Sequence, residues 1–388
     1  MAEYVKKIIA DTFNDIAGCL ETGSFAKSVK IGLMGIGSEH GECNMLEGAV
    51  LASKKGIETY YIGTLKKEGV HTLHAENEES AVNVMEEKLA DKTLDGAVAM
   101  HYPFPIGIST VGRVITPSAG KTMFIATTTG TSATDRVAGM VKNAIYGIIA
   151  AKACGNPHPT VGILNVDGAR QAERVLKELA ASGYPINFAS SSRDDGGIVM
   201  RGNDVLTAPC DIMVCDPLTG NILIKMLSCY TSGGNYETVG FGYGPGIGED
   251  FDKLILIVSR ASGTPVVASA MEYAAELVRG EWQKKAQTEF AAAKKAGLND
   301  ILSKMQKKAT SPADNKQEEA LPIPPKEVVT AEIVGIEIMD LDDAVAELFK
   351  AGIYAESGMG CTGPIVLVSE AKLNVAKGIL KKSGHVSE

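Results

Sequence analysis

Cys210–Ser228 reads CDIMVCDPLTGNILIKMLS: an apolar run ending at Cys215, a polar turn, then apolar residues at helical spacing. The pattern predicts a buried strand that turns through Asp216–Gly220 and enters a helix near Asn221. The opening N–H groups of such a helix have no partner within it and can hold an anion. Asp216 is suited to orient a nucleophile or a phosphate proton, and Asn221 to donate a hydrogen bond. Lys225, one turn further on, can neutralise a phosphoryl or oxyanion charge. Gly220 adds a position where a phosphate can approach the backbone. Ordinary turn and cap formation uses the same residue types, so the spacing leaves a structural and a functional reading side by side.

The strand–loop–helix unit recurs on either side of this stretch. Val29–Met34 precedes the loop Gly35–Gly41 and a helix over Asn44–Lys55, and Leu94–Met100 precedes His101–Gly107. Thr122–Ala126 leads into TTTGTS and a helix within Ser132–Cys154. Thr160–Val166 leads to a helix over Ala169–Ser182 and a strand at Pro185–Ala189, and Lys253–Val258 leads through RASGTP into a further helix. This alternation predicts an α/β fold, a mostly parallel multi-stranded sheet with helices on both faces. Ligands in such sheets bind where loops leave the carboxyl ends of the strands.

Ala270 to about Ala309 reads as helix, with breaks at Gly280 and Gly297. Thr310–Lys326, TSPADNKQEEALPIPPK, has four prolines and little apolar periodicity, the pattern of a semi-extended linker. Beyond it come a strand (Val328–Met339), a helix (Leu341–Lys350), a strand (Ile365–Ser369) and a helix (Glu370–Lys382), with Asp340 and Ser369 as N-caps. The expected organisation is a main domain at 1–309, a flexible linker at 310–327 and a small βαβα module at 328–388.

The composition narrows the partners. With 45% hydrophobic residues the chain can bury a substantial core, and its formal charge of −9, without a long Lys/Arg cluster, argues against nucleic acid. The N-terminal MAEYVKKIIADTF suggests the start of an amphipathic helix and lacks the apolar core of a signal peptide. No apolar run is long enough to span a bilayer. Seven scattered cysteines fit reduced thiols better than a disulfide framework. A cytoplasmic protein with no membrane partner is expected.

Other segments also carry candidate chemistry. In TTTGTSATD (Thr127–Asp135), Ser132 and Asp135 fit a capping box, while Thr129, Thr131 and Ser132 can form a phosphate nest. GIGSEHG (Gly35–Gly41) joins a strand to a helix, and Gly37 and His40 are candidates there for phosphate or acyl binding. Its G-x-G-x-x-x-G spacing, and the lack of an acidic residue ending the next strand, weaken a dinucleotide reading. GYGPGIGEDFD (Gly242–Asp252) reads as a flexible loop without metal-ligand spacing, and no metal site or cofactor is expected. Cys19, Cys154 and Cys229 lie in apolar helical contexts and read as core thiols.

Cys361 differs, because ESGMGCTGP surrounds it with Gly358, Gly360 and Gly363. Glycines allow close approach by a substrate, and exposed loop N–H groups can stabilise a thiolate or the oxyanion of a thioester intermediate.

KACGNPHPTVGILNVD, followed by CDIMVCDPLTGNILIK, resembles the PlsX-type phosphate acyltransferases, which make acyl phosphates from acyl carrier protein thioesters. Asp216, Thr219, Gly220, Asn221 and Lys225 match that family's pattern, while Pro217 and Leu218 stand in for its Gly-Phe pair. Its acidic Gly-Gly-Asp loop is replaced by Gly35–Gly41. The resemblance covers about residues 29–280 and implies a PlsX-like, isopropylmalate-dehydrogenase-like main domain.

With ESGMGCTGP added, the whole chain resembles the alpha subunits of component C of the clostridial glycine, sarcosine and betaine reductase complexes. That resemblance implies that Cys361 carries acetyl as a thioester and that inorganic phosphate, the second substrate, releases it as acetyl phosphate. It also implies two partners, a ketoacyl-synthase-like beta subunit and the carboxymethylated selenoprotein component A. Asp216, Asn221 and Lys225 would then position phosphate, and the linker, spanning about 20–25 Å, would let Cys361 move between sites. The runner-up readings are a lipid-pathway phosphate acyltransferase and a non-catalytic acyl-carrier or scaffold subunit.

Overall fold

The computed structural model describes residues 13, 28–118, 120–193, 196–310, 323–336, 340–360 and 363–386. Most of the N-terminal segment, Cys19, most of the linker, and Cys361 with Thr362 lie outside the described residues.

The strands run β1 (Val29–Met34), β2 (Ile57–Gly63), β3 (His71–His74), β4 (Gly96–Ala99), β5 (Ile108–Ile115), β6 (Thr122–Thr131), β7 (Thr160–Leu164), β8 (Asn187–Phe188), β9 (Val199–Met200), β10 (Ile212–Val214), β11 (Gly244–Ile247) and β12 (Ile255–Ile257). The helices among them are α1 (Gly41–Ser53), α2 (Glu78–Ala90), α3 (Arg136–Ala153), α4 (Ala169–Ala181), α5 (Gly202–Thr207), α6 (Pro217–Cys229), α7 (Thr264–Arg279), α8 (Trp282–Lys295) and α9 (Leu298–Thr310). The twelve strands form one sheet, in the order β3-β2-β1-β4-β12-β11-β5-β6-β10-β7-β8, with β9 also paired to β7. Pairing is parallel within β3-β2-β1-β4-β12 and within β6-β10-β7-β8. Between these halves, β5 pairs antiparallel with β6, and β11 antiparallel with both β5 and β12.

Continuous apolar strands such as GAVA and ILI suit a sheet buried on both faces. One face packs against Met45 of α1, Met140 and Ile145 of α3, Leu176 of α4, Val267 of α7 and Trp282 of α8. The other packs against Met85 of α2, Val205 of α5 and Ile224 of α6. Small residues let α3 sit deep: a Cβ on Gly147 would lie 2.5 Å from the Ile212 side chain.

Several expectations need correction. TTTGT is the end of β6, not a loop, because it pairs with β5, whose Ile108 faces Thr131. Ser132 does not cap α3; Asp135 does, accepting from the Ala138 N–H at 2.7 Å. The Ser132 hydroxyl is instead buried against Asn143 Oδ1 (2.7 Å). GPGI, read as part of a flexible loop, is the buried strand β11. Gly244 has φ +85°, and a Cβ there would lie 1.8 Å from the Val111 carbonyl, so only glycine lets these strands approach. Helix α6 starts at Pro217 rather than near Asn221, with proline at the position where its missing N–H costs nothing.

A second, three-stranded sheet follows: β13 (Ala331–Val334), β14 (Ala355–Gly360) and β15 (Gly363–Val368), with α10 (Leu341–Lys350) and α11 (Leu373–Lys382). The order β13-β15-β14 is antiparallel throughout, over a core of Ile333, Leu348, Val366 and Leu380. Strand β14, from the stretch read as a glycine loop, makes the pattern βαββα rather than βαβα. Asp340 precedes α10 without a side-chain cap bond. Its carboxylate accepts from Arg174 of α4 at 3.1 Å, and Arg174 also donates to the Gly384 carbonyl at 2.7 Å. The module therefore rests against α4 through a polar contact.

Candidate functional site

A cavity of about 420 Å³ opens where the strands of one sheet half end. Its walls include Glu39 after β1, His101 and Tyr102 after β4, Ser259 and Arg260 after β12, Thr129 near the end of β6, and Asn221 and Lys225 on α6. This is the carboxyl-end position expected of a ligand site in such a sheet.

The placement of α6 is set at its first turn. Asp216 caps the helix, its carboxylate accepting from the Thr219 N–H (3.1 Å) and the Thr219 hydroxyl (2.6 Å). Gly220 lies so close to β6 that a Cβ would sit 1.8 Å from the Thr127 carbonyl oxygen. Next to it, Asn221 Nδ2 donates to the Thr128 carbonyl at 3.3 Å. The Thr128 hydroxyl in turn donates to the Tyr243 carbonyl at 2.7 Å, tying β6 to the chain entering β11.

Lys225, one turn beyond Asn221, is held by two acceptors. Its Nζ lies 2.5 Å from Glu237 Oε1 and 2.8 Å from Ser259 Oγ. Glu237 is fully buried, whereas the lysine side chain is 42% exposed, so the charge reaches the cavity while its counter-charge does not. Ser262 donates to the second Glu237 oxygen at 2.5 Å. Burial, reinforced by the Glu237 carboxylate, pushes the Tyr243 hydroxyl well above its ordinary pKa.

On the rim, Arg260 forms a two-pronged pair with Glu78 (2.9 and 2.6 Å) and donates to the Gly37 carbonyl at 2.8 Å. The guanidinium hydrogen bonds hold the Glu78 carboxyl below its usual range. Gly37 shapes this turn at φ +105°, where a Cβ would meet Arg260 Nη1 at 2.5 Å. His40 is exposed outside the cavity, with Nε2 3.2 Å from the Ala261 carbonyl and its ring edge-on to Tyr236.

The sequence candidates therefore divide. Asn221, Lys225 and Thr129 share the main cavity. Asp216 lines a neighbouring cavity of about 310 Å³ with Thr131 and Ser132. Gly358 and Gly360 belong to β14 in the second sheet, and Cys361 lies outside the described residues. Of the described thiols, Cys154 and Cys210 are pushed by burial up to about 12, and Cys215 higher still. Cys229 is buried, in keeping with the core reading, and Cys43 is exposed.

Sequence reasoning missed Glu237, Ser259 and Arg260. The predicted strand Lys253–Val258, followed directly by Ser259 and the RASGTP that begins at Arg260, was a usable signal for both residues, whereas Glu237 stands in no motif. Among the described residues, no group of three or more His, Cys, Asp or Glu is placed to hold a metal, and no helix is long and apolar enough to cross a membrane.

The chain belongs to the fatty acid synthesis protein family, matched over residues 29–367, and within it to the component C alpha subunits. It is 55% identical over 388 residues, 99% of each chain, to the glycine/sarcosine/betaine reductase complex component C subunit alpha of Peptoclostridium acidaminophilum. A shorter stretch of 87 residues is 34% identical to a phosphate acyltransferase of Brevibacillus brevis, covering 22% of this chain and 24% of that one. Another is 38% identical over 87 residues to the phosphate acyltransferase of a Picosynechococcus species, covering 21% and 22%. Among solved structures, a branched-chain phosphotransacylase from Enterococcus faecalis aligns with a TM-score of 0.43 at 16% identity, over 64% of this chain and 99% of that one.

Proposed function

We propose that this chain transfers an acetyl group from a cysteine thioester to inorganic phosphate, releasing acetyl phosphate, as the alpha subunit of a component C. The observation that carries the reading is the half-exposed Lys225 ammonium, with Asn221 one turn away, in a cavity at the strand ends. The names of the relatives, a reductase component and phosphate acyltransferases, supply the chemistry.

Phosphate enters beside Lys225, and one of its oxygens attacks the thioester carbonyl carbon. The carbonyl electron pair moves to oxygen, and the tetrahedral oxyanion then collapses with cleavage of the C–S bond. Acetyl phosphate leaves, and the cysteine departs as a thiolate. Lys225 and Asn221 stabilise the phosphate and the oxyanion, and holding the reactants together lowers the barrier further. Cys361 is the proposed carrier, with Gly358 and Gly360 giving the thioester access. Asp216 acts one step back, by fixing the first turn of α6.

A ketoacyl-synthase-like beta subunit and a carboxymethylated selenoprotein component A are the proposed partners, in a cytoplasm that keeps the thiols reduced. The matches to phosphate acyltransferases favour a second reading, in which the donor is a longer acyl thioester.

The test supplies the assembled complex with acetyl donor and inorganic phosphate and captures acetyl phosphate as its hydroxamate. Lys225→Met is expected to lower turnover about a hundredfold, and unchanged turnover in that variant contradicts the reading. Faster turnover with long acyl thioesters than with acetyl would favour the second donor class.

A further inference from the structure

We propose that Glu237 is the positioning residue of this site, fixing the Lys225 ammonium so that one of its N–H groups meets inorganic phosphate. In naming phosphate, the proposal rests on the acyl-transfer reading above.

A lysine on a helix surface ordinarily spreads its charge over many side-chain orientations, and fixing it carries an entropic cost. Here two acceptors from different parts of the chain hold the same nitrogen: Glu237 at 2.5 Å and Ser259 at 2.8 Å. An ammonium has three N–H donors, so these two bonds leave one for a ligand in the cavity.

The holder is itself held at every polar atom. The Glu237 N–H donates to the Ala261 carbonyl at 3.2 Å, and its carbonyl accepts from Gly263 at 2.9 Å. Oε1 takes Lys225 and, at 3.4 Å, the Tyr243 hydroxyl, while Oε2 takes Ser262 at 2.5 Å. The Ser262 hydroxyl oxygen accepts from the Ser259 N–H at 3.0 Å. The Ser259 hydroxyl oxygen accepts from both Lys225 and the Ala261 N–H, at 2.8 and 3.1 Å. The loop after β12 thus wraps the carboxylate and presents the ammonium on one wall.

A carboxylate this buried stays charged only against a partner. Glu237 and Lys225 therefore depend on each other, and a change at Lys225 mixes loss of the phosphate contact with damage to the fold. Substitution at Glu237 isolates positioning, because Lys225 keeps its own charge.

The experiment titrates inorganic phosphate into the full-length chain by calorimetry and, in the assembled complex, separates KM for phosphate from kcat. Glu237→Gln is expected to weaken phosphate binding and raise KM about tenfold, and to lower kcat as well but by less than Lys225→Met does, because the displaced ammonium also serves the oxyanion. Glu237→Asp should recover part of the loss. If Glu237→Gln fails to fold, Ser259→Ala carries the test, because it leaves the buried pair intact and removes one acceptor; about threefold weaker binding is expected. Wild-type phosphate affinity in folded Glu237→Gln, or in Ser259→Ala when that variant carries the test, overturns the proposal, as does a wild-type chain that binds no phosphate. Wild-type protein that binds phosphate in a Glu237-dependent way, yet makes no acyl phosphate, supports the positioning role and removes the acyl-transfer reading.

Discussion

Lys225–Glu237 and Arg174–Asp340 are both ion pairs that tie separate parts of the chain together, and their cations are almost equally exposed, at 42% and 45%. They differ in the acid. Glu237 is fully buried within the main domain, whereas Asp340 keeps 21% of its surface where the C-terminal module meets α4. A buried carboxylate has no water to fall back on when its partner goes; a partly wetted one does. The first pair is thus suited to hold a cation in one place, the second to join two surfaces through a contact that water can replace.

Six substitutions, two of them combined in one variant, sharpen this contrast. Lys225→Met strands the Glu237 charge and should cost about 3 kcal/mol in chemical denaturation, with Lys225→Met/Glu237→Gln recovering most of it. A single variant as stable as wild type would break the contrast. Gly220→Ala drives a methyl group into the Thr127 carbonyl, so α6 must shift from β6; about 2 kcal/mol should be lost, with weaker phosphate binding. Asp216→Ala removes a helix cap and should cost about 1 kcal/mol while sparing more phosphate affinity than Asn221→Ala does. Arg174→Ala should change main-domain stability by no more than about 0.5 kcal/mol, yet increase protease cleavage between the domains. Unchanged cleavage would mean that the pair does not hold the module.

The alternation of strands and helices was legible because buried parallel strands are apolar runs and the helices show their own period. Helices α8 and α9 begin just after Gly280 and Gly297, where their breaks were expected. Among the strands that escaped notice, β11 and β14 are GPGI and AESGMG, whose glycine and proline argue for a loop. Strand β11 forms where close backbone approach at Gly244 demands glycine, and that demand comes from neighbours distant in sequence.

The same limit applies to the site. Asn221 and Lys225 stand in a strand-to-helix unit that can be read locally. Glu237 acquires its role only when the chain after α6 folds back against the loop after β12, a closure that leaves no local spacing to detect. Asp216 shows the reverse: its motif was visible, but its carboxylate is committed to Thr219.

The proposed function requires that a cysteine of this chain exchange acetyl with phosphate, and Cys361 is the proposed cysteine. Incubating the full-length chain, alone and in the assembled complex, with acetyl phosphate, followed by acid quenching and peptide mass spectrometry, tests it directly. The expected result is acetyl on the Cys361 peptide, released by hydroxylamine and absent when phosphate competes in excess. Acetyl on the exposed Cys43 instead, or on neither cysteine in the assembled complex, would contradict it.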